Sequence, residues 1–245
     1  MMSIDFNHQI NRSERLTHIL NDAMIKQNGE QTPRNYLGAS RLGVECARSL
    51  QYEFFHAKKD EGKDFNGQTL RIFQVGHILE ELIISWLQLS GADVVNYDKN
   101  GKQFGFSTGN GLIKGHVDGI IKGGNEEFGP FPRLLEIKTA NAKKWKEFEK
   151  NKLKKANWVY WVQIQLYLAY MGLEQNPALF VVINKDTQEL YFEDIPFDPA
   201  AAQDASDRAA RIVQCCLAGE LLPREYPSQD FYQCKWCNWG SRCWK

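Results

Sequence analysis

The segments Gly111-Leu-Ile-Lys-Gly-His-Val-Asp-Gly-Ile-Ile121 and Arg133-Leu-Leu-Glu-Ile-Lys-Thr139 decide how this chain is read. In the first, Ile113, Val117 and Ile121 fall on one side of an extended chain while Lys114, His116 and Asp118 fall on the other, the period-two pattern of a half-buried strand. In the second, Leu135 and Ile137 point into one layer and Glu136 and Lys138 share the opposite side. Two such strands lying side by side would bring Asp118, Glu136 and Lys138 together. Two carboxylates can hold one or two hard divalent ions against a phosphodiester, and a lysine beside them can orient or deprotonate the attacking water. Read alone, an Asp and a Glu-x-Lys are also common strand decoration, so the rest of the chain has to discriminate.

Two helices flank these strands. The helix predicted over about Trp158–Met171 is apolar around most of its circumference, but Tyr160, Gln163, Tyr167 and Tyr170 fall within one arc. Gln163 and Tyr167 are four apart and therefore stacked on one face. The helix predicted over about Leu70–Leu89 shows a stripe of Ile72, Val75, Leu79, Leu82, Ile83 and Trp86, which is expected to face the core. His77, Glu80 and Glu81 lie off that stripe, and His77, as a neutral imidazole, is a suitable further ligand for a divalent ion.

The C-terminal run Cys234-Lys-Trp-Cys237-Asn-Trp-Gly-Ser-Arg-Cys243-Trp-Lys sets three thiols beside three tryptophans. The two-residue gap lets two sulfurs reach one centre, and Cys46 is the best isolated candidate for a fourth ligand. Spacing alone leaves zinc and iron-sulfur both open. Either would close a loop of nearly the whole chain. Cys215 and Cys216 lie in a predicted helix, about Ala200–Ala218, where small buried thiols are ordinary.

The 245 residues carry 30 basic and 30 acidic side chains, so no global basic field is available and a polyanion has to be held by a local patch. Ala142–Lys155 carries seven lysines against Glu147 and Glu149, with Trp145 among them. No long Pro/Gly/Ser linker, repeat or low-complexity tract divides the chain, which predicts one domain over 1–245, with a helical extension at 1–36 and a cysteine segment at 225–245. No signal-peptide core is present and the longest uncharged stretch, Ala156–Leu173, holds two glutamines and three tyrosines, so the expectation is a cytoplasmic protein with no membrane partner.

Taken in order, Gly76-His77, Asp118, Glu136-x-Lys138 and Gln163-x-x-x-Tyr167 resemble the PD-(D/E)XK nuclease superfamily in its RecB-like branch. Cys46 with the trailing C-x2-C-x5-C resembles the iron-sulfur version found in CRISPR-associated RecB-like exonucleases and in AddAB-type helicase-nucleases. The match spans Cys46 to Cys243, and Val117 stands where the motif's name has proline. The resemblance implies an α/β fold, a central mixed β-sheet flanked by helices, with the termini joined by a cysteine-ligated metal cluster. It implies a divalent-metal-dependent DNA exonuclease from a bacterium, archaeon or phage, in which His77, Asp118, Glu136 and the carbonyl of Ile137 bind Mg²⁺ or Mn²⁺. Lys138 would activate water, and Gln163 and Tyr167 would support the lysine and the strand. Cys46, Cys234, Cys237 and Cys243 would hold a 4Fe-4S cluster, with Zn²⁺ as the alternative. Arg48, Tyr52, Lys143, Lys144 and Trp145 are the expected contacts to DNA, single-stranded or with free ends. No helicase segment is attached, so the expected setting is end processing in recombination, repair, phage replication or CRISPR adaptation, with helicase, recombination or CRISPR partner proteins. The competing expectation is a cysteine-metal-stapled nucleic-acid binding module without catalysis.

Overall fold

The computed structural model describes residues 11–245; the first ten residues of the expected N-terminal extension lie outside the described residues. Helix α1 (Arg12–Gly29) opens with a reciprocal cap, Asn11 accepting from the Glu14 amide while the Glu14 carboxylate accepts from that of Asn11. It lies on α3 (Gly67–Leu89), and the contact is close: a Cβ on Gly67 would stand 2.5 Å from the Asn21 Cα, and Arg71 donates to the Asn21 side chain at 2.7 Å.

The strands form two sheets. Strands β2 (Ala92–Val95), β5 (Gly119–Gly124), β6 (Arg133–Ala140), β7 (Ala178–Asn184) and β8 (Leu190–Ile195) make a five-stranded sheet in the order β2-β5-β6-β7-β8. Only β6 and β7 run parallel, with Glu136 opposite Phe180 and Lys138 opposite Val182. A parallel pair needs a long crossover, supplied here by α4 (Ala142–Ala156) and α5 (Trp158–Met171). Asn157 ends the first of these helices and caps the second, its side chain accepting from the Tyr160 amide. All seven residues of β7 are buried, as a continuous apolar run covered on both faces requires. Strands β1 (Leu37–Gly38), β4 (Ile113–His116) and β3 (Gly105–Thr108) form the second, three-stranded sheet, β1 and β4 parallel.

Glycine at 115 permits the close approach of this small sheet to α5, because a Cβ there would meet the Tyr167 ring at 2.5 Å and the Phe106 ring at 2.7 Å. On one face of the large sheet, Leu135, Ile137, Val181 and Ile183 pack against Ile83, Ile84 and Leu87 of α3. On the other, Leu134, Phe180 and Val182 share a core with Ile164, Leu166 and Leu168 of α5, which is covered in turn by α6 (Pro199–Leu217).

Two sequence expectations are corrected here. The stretch 111–121 is not one strand: it breaks at Val117-Asp118, and its halves join different sheets. The buried face of α3 is Leu70, Ile83, Ile84 and Leu87, while Ile72, Val75, Leu82 and Trp86 of the anticipated stripe are 39–47% exposed. The apolar arc of this helix is broad, and packing chose the edge of it that also carries Glu80. No helix among the described residues is long and apolar enough to cross a membrane.

Candidate active site

The break between β4 and β5 explains the position of Asp118. Leaving one sheet for the other frees the chain from both ladders, and the carboxylate takes up a vacant donor: its Oδ2 accepts from the Ile137 amide at 2.7 Å. Glu136 sits one residue earlier on β6 and is fully buried. Its Oε1 accepts from Gln163 Nε2 at 2.7 Å and from the Lys138 ammonium, with which it forms an ion pair. Gln163 Nε2 also donates to the Tyr167 hydroxyl at 3.1 Å, and the Lys138 Nζ lies 5.1 Å from the centre of the Tyr160 ring. The polar arc of α5 thus meets the polar edge of β6 through Tyr160, Gln163 and Tyr167. Tyr170 falls outside this group and hydrogen-bonds Ser206 of α6.

A third carboxylate completes the cluster. Glu80 of α3 hydrogen-bonds Asp118, and His77, one turn earlier, adds its positive influence to Asp118 from the same face. Burial together with Asp118 pushes Glu136 up to about 8 and Glu80 up to about 7, and burial raises Asp118 as well despite the opposing pull of Lys138 and the Ile137 amide. Burial alone would lower Lys138, but Glu136 and Asp118 outweigh it and hold the ammonium above the ordinary lysine range. Sequence reasoning missed Glu80 as a site residue; its signal was the three-residue spacing from His77.

The edge of this cluster opens onto a groove of about 790 Å³. His77, Glu80, Ile137 and Lys138 line one part of it, and α1 closes it through Met24, Gln27 and Asn28. Among the described residues no three His, Cys, Asp or Glu side chains already stand at single-ion spacing. The donor set nevertheless suits a hard divalent ion. Three carboxylates face one ammonium, and Glu136 Oε2 and Gln163 Oε1 are buried without a partner, a state that is costly unless a cation or donor completes it.

The four anticipated cysteines also converge, at the other end of the chain's path. Cys46 precedes α2 (Ala47–Phe54), and Cys234, Cys237 and Cys243 come from the two short helices α7 (Tyr232–Trp236) and α8 (Gly240–Cys243). All four line one cavity of about 400 Å³ and all are free thiols. Burial, with the neighbouring thiols Cys46, Cys243 and Cys234 adding to it, pushes the Cys237 thiol up.

Of the anticipated DNA contacts, Tyr52 and Trp145 are corrected. Trp145 is buried in the core with Phe148 and Leu153, because the lysine-rich α4 is amphipathic and turns its indole inward. Tyr52 is likewise buried, 6.1 Å from the Trp239 ring. Arg48 donates to the Leu222 carbonyl at 2.6 Å, with its Nη1 3.9 Å from Cys243 Sγ, which ties the C-terminal segment to α2. Lys144 is taken up by Glu147 and by the carbonyl of Ala156, and Lys143 is exposed on α4, away from the groove lining.

No known family model matches this sequence, and no curated protein sequence matches it. Solved structures match its shape. The alkaline exonuclease LHK-Exo from Laribacter hongkongensis aligns with 76% of this chain and 90% of its own at a TM-score of 0.52 and 16% identity. The same exonuclease in complex with dAMP aligns with 82% of this chain and 93% of its own, TM-score 0.52, 17% identity. The structure of SSO0001 covers 93% of this chain and 96% of its own at a TM-score of 0.47 and 19% identity. The chain therefore has an alkaline-exonuclease-like fold, a mixed α/β core of two sheets flanked by helices.

Proposed function

We propose that this protein is a divalent-metal-dependent DNA exonuclease. The observation that carries the reading is the convergence of Asp118, Glu136 and Lys138, braced by Gln163, at one groove of a fold shared with an alkaline exonuclease. The dAMP complex of that relative supports a nucleic-acid substrate.

Asp118 and Glu136, with Glu80 or His77 beside them, would hold Mg²⁺ or Mn²⁺, together with the carbonyl of Ile137. When bound, the ion supplies charge neutralisation at the phosphate and acidifies water. The chain's own residues do the positioning. The Ile137 amide fixes Asp118, and the Gln163 amide fixes the Glu136 oxygen that also receives Lys138. Lys138, paired with Glu136 at the edge of the groove, would orient or activate the attacking water and offset negative charge on the phosphate.

We assign a structural role to Cys46, Cys234, Cys237 and Cys243 as the ligands of a 4Fe-4S cluster, with a single zinc as the alternative; four thiols around one cavity support a shared centre. The setting we favour is processing of DNA ends in recombination, repair, phage replication or CRISPR adaptation. Digestion of end-labelled single-stranded and duplex DNA with Mg²⁺, Mn²⁺ or chelator tests the reading. Wild type with metal is expected to degrade DNA, and Lys138→Ala to lose about a hundred- to a thousandfold, as removal of a preorganised donor does. Undiminished cleavage by Lys138→Ala removes the catalytic assignment, and metal-independent binding without cleavage by both proteins favours the binding-module alternative.

A further inference from the structure

The chain is neutral overall, yet its cations are unevenly placed around the groove. Arg34 is exposed, lines the groove, and lies along β1, where a Cβ on Gly38 would stand 3.8 Å from its Nη1. Beyond it come Lys114 and His116, alternate residues of β4, and Lys102 from the loop before β3. Pairing of β1 with β4 and of β4 with β3 brings these groups into one neighbourhood, and burial, with Arg34, Lys102 and Lys114 adding to it, pushes the His116 imidazole down, so that it offers a neutral donor beside three cations. None of them has an acidic partner within ion-pair distance among the described residues; Lys114 instead lies over the Tyr36 ring at 4.9 Å. Unpaired basic side chains clustered beside a cluster of buried carboxylates do not stabilise the fold, since like charges repel.

The groove also carries exposed rings. Phe65 and Phe73 stand edge to face at 5.1 Å, each more than two-fifths exposed, although aromatic rings normally go inside. Exposed rings in a groove that Arg34 also lines, with further cations beyond it, are the combination that holds a single nucleic-acid strand, phosphates on the cations and bases on the rings. Exposed rings, moreover, gain nothing from bases already paired and stacked.

We infer that Arg34, with Lys102, Lys114 and His116 beyond it, is the phosphate track of one DNA strand that enters the groove with its bases against Phe65 and Phe73. The inference rests on the nuclease reading for the identity of the polymer. It makes the substrate single-stranded at the site and gives α1 and the segment after it a role as one wall of the strand channel.

The test is fluorescence anisotropy of labelled oligothymidylate and of a blunt duplex of equal length, with chelator present, from 50 to 200 mM salt. Each phosphate contact to a single strand contributes about 0.7 to the slope of log K against log salt, so about fivefold in affinity at 0.1 M. Arg34→Ala is therefore expected to bind oligothymidylate about fivefold more weakly with a slope lower by about 0.7, and Lys102→Ala/Lys114→Ala about 25-fold more weakly with a slope lower by about 1.4. Phe73→Ala is expected to lose at least about fivefold without a change of slope. Arg211→Ala, the same charge removed from the exposed side of α6, should match wild type. Unchanged slopes in the Arg34 and lysine variants, duplex bound as tightly as single strand, or no binding by wild type overturns the track. Mn²⁺-dependent digestion by wild type and Lys138→Ala, run alongside, reports separately on the nuclease reading: slopes that fall as expected without cleavage keep the track and remove the nuclease, and cleavage with unchanged slopes does the reverse.

Discussion

Replacing Glu136 by Gln tests the electrostatics of the site apart from its chemistry. The amide keeps the shape and still accepts from Gln163 and Lys138 through one oxygen, while the buried charge disappears. In the folded chain burial and Asp118 hold this carboxyl at about 8, against an ordinary value of 4.5. Between those two values the folded state keeps a proton that the unfolded state has released, so the metal-free protein loses stability as pH rises through that window. The slope approaches 1.4 kcal/mol per pH unit, and from pH 5 to 8 the ceiling is about 4 kcal/mol. Glu136→Gln should remove the Glu136 share of that dependence, standing closest to wild type at pH 5, where the wild-type carboxyl is already neutral, and gaining on it toward pH 8; the slope that remains belongs to Glu80 and Asp118, whose carboxyls are also held up. Lys138 adds no slope here, because its ammonium stays protonated in both states throughout the window. The assay is urea denaturation with chelator at pH 5, 6, 7 and 8, followed by thermal melts with and without Mn²⁺ at pH 8. Mn²⁺ should raise the wild-type melting temperature and leave that of the variant nearly unmoved. A wild-type stability that climbs from pH 5 to 8, or a variant with the same slope as wild type, refutes the reasoning.

Cys237→Ser and Asp118→Ala should separate the two proposed metal sites. Losing a staple between Cys46 and Cys234 frees a loop of about 190 residues, with a chain-entropy ceiling of about 5 kcal/mol; Asp118→Ala should keep the cysteine-bound metal and near-wild-type stability while losing cleavage, and equal unfolding of both variants in denaturant titrations would make Asp118 structural. Anaerobically purified wild type should be brown with broad absorption near ~400 nm, whereas a colourless protein with one zinc per chain removes the iron-sulfur assignment. Gln163→Leu should cost about 1–3 kcal/mol, since it leaves the Glu136 oxygen and the Tyr167 hydroxyl without their shared amide. It should also raise the Mn²⁺ concentration needed for half-maximal cleavage; a variant indistinguishable from wild type in both assays removes Gln163 from its positioning role.

Local patterning by itself determined a good deal. Period two along 133–139 is a property of the extended backbone, so Glu136 and Lys138 share a side whatever lies next to them, and the helix at 158–171 follows from its own apolar run and the asparagine that caps it. What periodicity does not carry is which partner a face meets. The apolar arc of α3 is broad, and only docking on β6 and β2 decided that Ile83 and Leu87 go inside, that Trp86 stays out, and that Glu80 turns toward Asp118. The same limit hid the inward turn of Trp145 and Tyr52, whose ring chemistry reads alike in a core and on a surface. It also hid the basic cluster beside the groove, because Arg34, Lys102 and Lys114 are separated in sequence and meet only when β1 pairs with β4 and β4 with β3. Charge clusters that are continuous in sequence, such as 143–155, are easy to see; a cluster made by strand pairing exists only once the ladders have formed.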